Sequence, residues 1–327
     1  MRKVLRISVL SGWLSFCLGQ HAIACAFHGY TPDPTLIDLL YASDHAVIAR
    51  LNGDDPSRFV PVSALIGPET SGIPIATSPE TRQKLLDAPG RTILLARDGA
   101  YGPWVELAVL DDRFRDVIAH ALAQQPSWAW GGDAARAQHF AGLVNDPNPT
   151  LRRLALQELD RAPYATLRAL DRPRVHDLKR ELVTVDDDLT PIRILLAGLS
   201  GDRDFSAVLQ SELDEAIRDN VPYLGAYATA LIELDGQPAV ESILNRYLIS
   251  DKLSLETRQK LLQALAIQHK TAPQETRRSI ARGVAELMRN TPEIGDSVTR
   301  QFGIRNNWVA ARPASTDPDG ASPDDAF

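Results

Sequence analysis

The sequence predicts an α+β protein in two parts. A small β-rich, barrel-like domain spans 25–125, and an all-α domain of stacked helix pairs spans 134–304. Three observations predict this. Short β-type runs broken by turn residues fill the first part. Apolar residues at helical spacing fill the second. The helical blocks also recur, with onsets at Asp146, Asp188, Asn220 and Ser254, separated by 42, 32 and 34 residues. Such spacing belongs to helix pairs that cannot bury their apolar faces alone and stack to do so.

Residues 1–24 read as an export signal. Arg2, Lys3 and Arg6 form a positive start, Val9 to Leu18 an apolar run, and Ala22-Ile23-Ala24 a small-residue cleavage site. Cleavage after Ala24 would expose Cys25, and cleavage after Ala26 would discard it. Reading Ala22-Ile23-Ala24-Cys25 as a lipobox would instead make Cys25 a lipidation site. The apolar run is shorter than the ~20 residues of a spanning helix, and no later stretch is longer, so no transmembrane span is expected. The predicted location is the periplasm or cell envelope, soluble or lipid-anchored.

In the first part, 35–42 predicts a helix with Pro34 near its start. Strands are expected at 46–51, 58–66, 73–76, 91–97 and 104–110, giving a small barrel or sandwich. Pro61 marks an edge or a bulge in the second of these, because proline cannot donate to a ladder. A helix over 111–123 follows, capped by Asp111 or Asp112. Pro126 to Asp133 reads as a linker. In the second part each block opens with a cap, often with proline in the first turn, and continues as an apolar helix face. The tail over 305–327 is rich in Pro, Ser, Asp, Ala and Gly, which predicts disorder.

Charge and cysteine content exclude several functions. The chain has 35 basic and 42 acidic residues, net −7, and loss of the three signal cations takes it to −10. No basic stripe is present, so nucleic acid is not an expected partner. Cys17 leaves with the signal and Cys25 alone can remain, so no internal disulfide is expected. No G-x-S-x-G, H-E-x-x-H, Walker or G-x-G-x-x-G pattern occurs, and the chain is not expected to be an enzyme. Gly198-Leu-Ser200-Gly-Asp202 reads as a helix C-terminal turn, and Asp186-Asp187-Asp188 as a turn and N-cap rather than a cation loop.

Asp146-Pro-Asn-Pro149-x-Leu151-Arg152-Arg153-Leu154-Ala155-x-x-x-Leu159 resembles a HEAT-type repeat, and Arg193 and Arg258 fall where later repeats would carry the family's arginine. The resemblance covers roughly 134–302 and implies an α-solenoid that binds a protein or peptide. Residues 25–122 are more distantly similar to netrin-like domains, which are OB-type barrels. The resemblance rests on an N-terminal Cys, Ala42 to Leu51, Phe59 to Gly67 and Thr92 to Arg97. The family's disulfide partners are missing here, so it bears on fold only.

The sequence therefore predicts a non-catalytic, exported interaction scaffold. Candidate partner-binding residues are Trp128, Trp130, Arg152, Arg193 and Arg258. The two tryptophans can instead plug a seam between the two parts. The arginines can instead bond turn carbonyls and Asp side chains. The alternative function is a metal-binding factor. There Cys25, His28 and, from the first strand, His45 would hold copper or zinc through thiolate and imidazole. Against it, His28 can serve to anchor the N-terminal segment by hydrogen bonds.

Overall fold

A computed structural model describes residues 27, 32–55, 58–74, 77–171, 175–250 and 252–303. The expectations for the export signal, Cys25, His28 and the tail lie outside these residues. The fold is α+β: a small antiparallel sheet followed by many helices. The chain forms two compact units, one over the described residues up to Arg193 and one from Ile194 onward, to which Phe27 also belongs. Among the described residues no helix is long and apolar enough to cross a membrane.

The first unit opens with α1 (Leu36–Ala42). Thr35 caps it in a reciprocal box with Asp38, each side chain bonding the other's backbone N–H. Strands β1 (His45–Leu51), β2 (Arg58–Ile66), β3 (Ile73–Pro74), β4 (Thr92–Arg97) and β5 (Val105–Leu110) lie in the order β3-β2-β1-β4-β5, all antiparallel. The expected closure into a barrel is not seen among the described residues. The sheet is open, with β3 and β5 as its edges.

Pro61 sits where the β1–β2 register slips: Ile48 faces Ser63, but Ala49 faces Pro61. β3 pairs with β2 only at Arg58 and Phe59, so Pro61 is on an edge as well as at a bulge. Gly67 turns the chain after β2 with φ +78°. A Cβ there would lie 2.7 Å from the His45 Nδ1 and 2.9 Å from the Asp44 carbonyl oxygen, so only glycine fits.

Alternation gives the sheet two buried faces. Val47, Ala49, Phe59, Ile93 and Leu95 join Leu85 of α2 (Pro79–Asp87) and Trp104 in one core. Ala46, Ile48, Leu94, Ala96 and Leu110 alternate with them and are also buried. Helices α1 and α3 (Asp112–Ala129) pack on β5 and on each other. Each fully buried Leu, Ile or Phe contributes about 1.5–3 kcal/mol, so these two layers outweigh the exposed ion pairs around them. Helix α2 is absent from the sequence expectation. It is short and polar, with Ser78 as cap and Pro79 in the first turn as its only signals.

The expected linker over 126–133 is also corrected. Helix α3 continues through Pro126 to Ala129, and α4 (Asp133–Ala141) begins after Trp130-Gly131-Gly132. Burial of Trp128 two residues later favours continuation over the break that proline alone predicts. Helices α5 (Pro149–Asp160), α6 (Tyr164–Ala169), α7 (Leu178–Thr184) and the start of α8 (Thr190–Leu199) complete the unit. The first unit thus includes helices that the sequence assigned to the second domain.

In the second unit, α9 (Ser206–Asp219), α10 (Leu224–Asp235) and α11 (Gln237–Ser242) are followed by a π-helical stretch over Ile243–Leu248. Then come α12 (Leu255–Thr271), α13 (Gln274–Asn290) and α14 (Gly295–Phe302). Helix α10 packs on α9, α11 and α12, α12 on α13 and α14, and α11 on α13. Gly198, late in α8, lets α8 approach α10 closely: a Cβ there would lie 2.5 Å from the Ala230 Cα. The buried Gln268 of α12 donates to the Thr229 carbonyl of α10 at 3.0 Å and fixes the register of that pair.

Candidate functional site

The four helix starts read from the recurring blocks are helix starts in the structure, at α5, α8, α10 and α12. Before α5, Asn148 accepts from the Thr150 and Leu151 N–H groups, and Pro149 occupies the first turn. Arg152, one turn in, donates back to the carbonyls of Asp146 at 2.7 Å and Pro147 at 3.2 Å. The Asp146 carboxylate accepts from Arg113 of α3. The turn is thereby fixed from both sides, and one wall of a cleft stands on it.

The cleft measures ≈ 400 Å³. Arg152 and Arg153 of α5 line one side, His176, Asp177 and Arg180 the other, and the buried Leu156 and Leu189 border it. The far wall is tied to the near one by the His176 N–H, which donates to the Asn145 side chain at 2.8 Å. Asp177 has a left-handed backbone, φ 59°, which a non-glycine residue adopts at a cost and Asp tolerates better than most.

Charge in the cleft is largely matched. Arg153 makes a two-pronged contact with Asp188 at 2.7 and 2.8 Å. Arg193, nearly buried, reaches Asp187 at 2.6 Å and Glu181 at 3.1 Å. Arg180 pairs with Asp177 at 3.1 Å on the open surface. Burial works against the Asp187 charge. The Arg193 and Leu189 hydrogen bonds and the charges of Arg193 and Arg153 outweigh it, holding that carboxyl below its ordinary range. The Asp186–Asp188 turn therefore spends two carboxylates on arginine. Arg152 differs from the other three arginines: among the described residues its bonds go to backbone carbonyls, not to a carboxylate.

The remaining predicted residues are dispersed. Arg258 donates to the Ser250 carbonyl at 2.9 Å at the start of α12. Trp128 is buried within the α3–α4 hairpin, near the rings of His139 (5.8 Å) and Phe140 (6.1 Å). Trp130 is 90 % exposed, so it plugs nothing. It stands at the C-terminal cap of α3. His45 starts β1 with its Nδ1 closed off under the Gly67 turn. Among the described residues no three His, Cys, Asp or Glu side chains gather as a metal ion would need. Ser200 donates to the Ala197 carbonyl at 2.7 Å, as a helix C-terminal turn predicts.

Two clusters lie beyond the sequence reading. Arg136 of α4 binds Glu158 of α5 (2.7 and 3.0 Å) and Asp38 of α1 (2.8 Å), while Thr35 donates to Glu158. Arg161 adds bonds to the Pro32 and Asp33 carbonyls and a 3.0 Å ion pair with Asp38. The Thr35–Asp38 cap was legible, but no sequence signal joins it to residues a hundred positions away. The second cluster is a stacked pair, His120 and His139, with ring centroids 4.4 Å apart. Burial, and then the charge of His120, lower the affinity of His139 for a proton. Comparison with protein-family models, with curated proteins and with solved structures gives no match for this chain.

Proposed function

We propose that the chain is a non-catalytic, exported interaction scaffold with HEAT-like helical pairs, binding a protein or peptide partner at its helical part. One observation carries the reading. The arginines singled out by the HEAT resemblance each reach back toward the turn that leads their helix. Arg152 donates to the Asp146 carbonyl and Arg258 to the Ser250 carbonyl, while Arg193 pairs with the Asp187 carboxylate, six, eight and six residues back. Repeated turns of this kind set helix pairs side by side, and such arrays expose long surfaces suited to extended partners. The cleft beside Arg152 and Arg153 is a concave surface within the first unit's helices. Export rests on residues 1–24, with ordinary cleavage favoured over a lipid anchor on Cys25.

The test is site-specific photo-crosslinking in the protein's own cell envelope, with the crosslinker at Arg153 on the cleft or at Arg278 on the exposed side of α13. A discrete adduct from position 153 and none from 278 is the expected result. The same adducts from both positions, or none from either, would overturn the reading.

A further inference from the structure

We infer that the cleft recognises an acidic peptide segment, taking one carboxylate side chain at Arg152. The inference rests on the scaffold reading and names the chemistry of its partner. Arg152 is held in place by two carbonyl bonds. A planar guanidinium already oriented loses less freedom when it binds a carboxylate. Its charge has no carboxylate partner among the described residues, unlike those of Arg153, Arg180 and Arg193. Across the cleft, the Arg180–Asp177 pair is exposed, with both side chains more than half accessible. Such a pair is worth about 0–1 kcal/mol, so Arg180 exchanges partners cheaply.

The other charge classes fit less well. A basic segment would need a free carboxylate, but Asp177, Glu181, Asp187 and Asp188 are each paired with arginine. The Arg180–Asp177 pair can open toward either sign, so the difference rests on Arg152, which has no carboxylate partner among the described residues. A phosphorylated segment brings nearly two negative charges into a site ringed by Asp177, Glu181, Asp187 and Asp188. A single carboxylate meets the same ring at half that charge. The chain's net charge of −7 gives an acidic partner no long-range attraction. Recognition must therefore act at short range, inside the screening length of about 8–10 Å.

The experiment is fluorescence anisotropy with the full chain and three labelled octapeptides alternating leucine with aspartate, asparagine or phosphoserine. The aspartate peptide is expected to bind at least tenfold more tightly than the asparagine one, because a charge-assisted pair is worth about 1.5 kcal/mol or more. Arg152→Gln should cost about tenfold, with Arg152→Lys intermediate, and Arg180→Gln a few-fold. Should Arg152→Gln disturb its turn, Arg180→Gln carries the test alone, since Arg180 is a surface residue. Equal binding of the aspartate and asparagine peptides, tighter binding of phosphoserine, or unchanged binding by both glutamine variants would overturn the inference. Failure of every peptide would do so too. In each case a discrete adduct from position 153 with none from 278 would leave the scaffold reading standing, and its absence would remove both.

Discussion

The two units hold together by different means. In the second, most packing runs between neighbours in the chain or helices two along, as in α10 on α12 and α11 on α13. In the first, the decisive contacts are remote. β1 pairs with β4 across α2, and Thr35 donates to Glu158 over a separation of 123 residues. The contrast teaches where stability is concentrated. A local array spreads its contacts over repeated apolar faces, whereas the first unit adds to its apolar layers one clasp of charge that is costly to break because Glu158 is buried.

The largest expected effect breaks that clasp. Glu158 is 2 % exposed at its side chain, and Arg136 supplies its ion pair. Arg136→Ala strands the carboxylate and should cost on the order of 3–5 kcal/mol. Arg153→Ala, which removes only exposed pairs, should cost at most about 1 kcal/mol. Denaturant titration of the two variants checks the contrast, and equal losses would show that the clasp is no special anchor.

A smaller effect belongs to the second unit. Gly198→Ala forces a Cβ against the Ala230 backbone. Overpacking costs about 1–3 kcal/mol and the better helix propensity of alanine returns about 1, so a net loss of about 1 kcal/mol is expected. Amide exchange should rise in α8 and α10 while the sheet stays protected. Faster exchange of the sheet as well would mean that the two units do not unfold separately.

The smallest effect is pH-dependent. His139 binds its proton less readily in the fold than in the unfolded chain, chiefly through burial and then through the charge of His120. Its contribution is present above the unfolded pKa of about 6.5 and is lost as pH falls through the lower folded value. Asp38 and Asp187 are also depressed, so their contributions are lost only further down, below about pH 4. Thermal melts from pH 8 to 5 should show a decline that His139→Gln flattens. A decline unchanged in that variant would assign it elsewhere.

Much of the fold could be read from particular residues. Pro61 announced an edge or a bulge, because its missing N–H cannot pair, and the structure places it at both. Asn148 and Ser254 announced helix starts, because their side chains accept the first free N–H groups. The length of α3 was not legible. Pro126 signals a break locally, and only burial of Trp128 decides for continuation. In the candidate site the sequence singled out Arg152 and Arg193 but not His176, Asp177 or Arg180, which lie in the turn before a short helix and in its first turn, without a recurring pattern.

The sequence by itself determined the class, the strands and the helices that recur, since caps, alternation and helical spacing act within a few residues. Tertiary structure alone decided that the sheet stays open, that Arg136 meets Glu158 and Asp38, and that α5 and α7 face each other across a cleft. Those outcomes depend on which remote groups share a desolvated space, and local patterns leave that choice open.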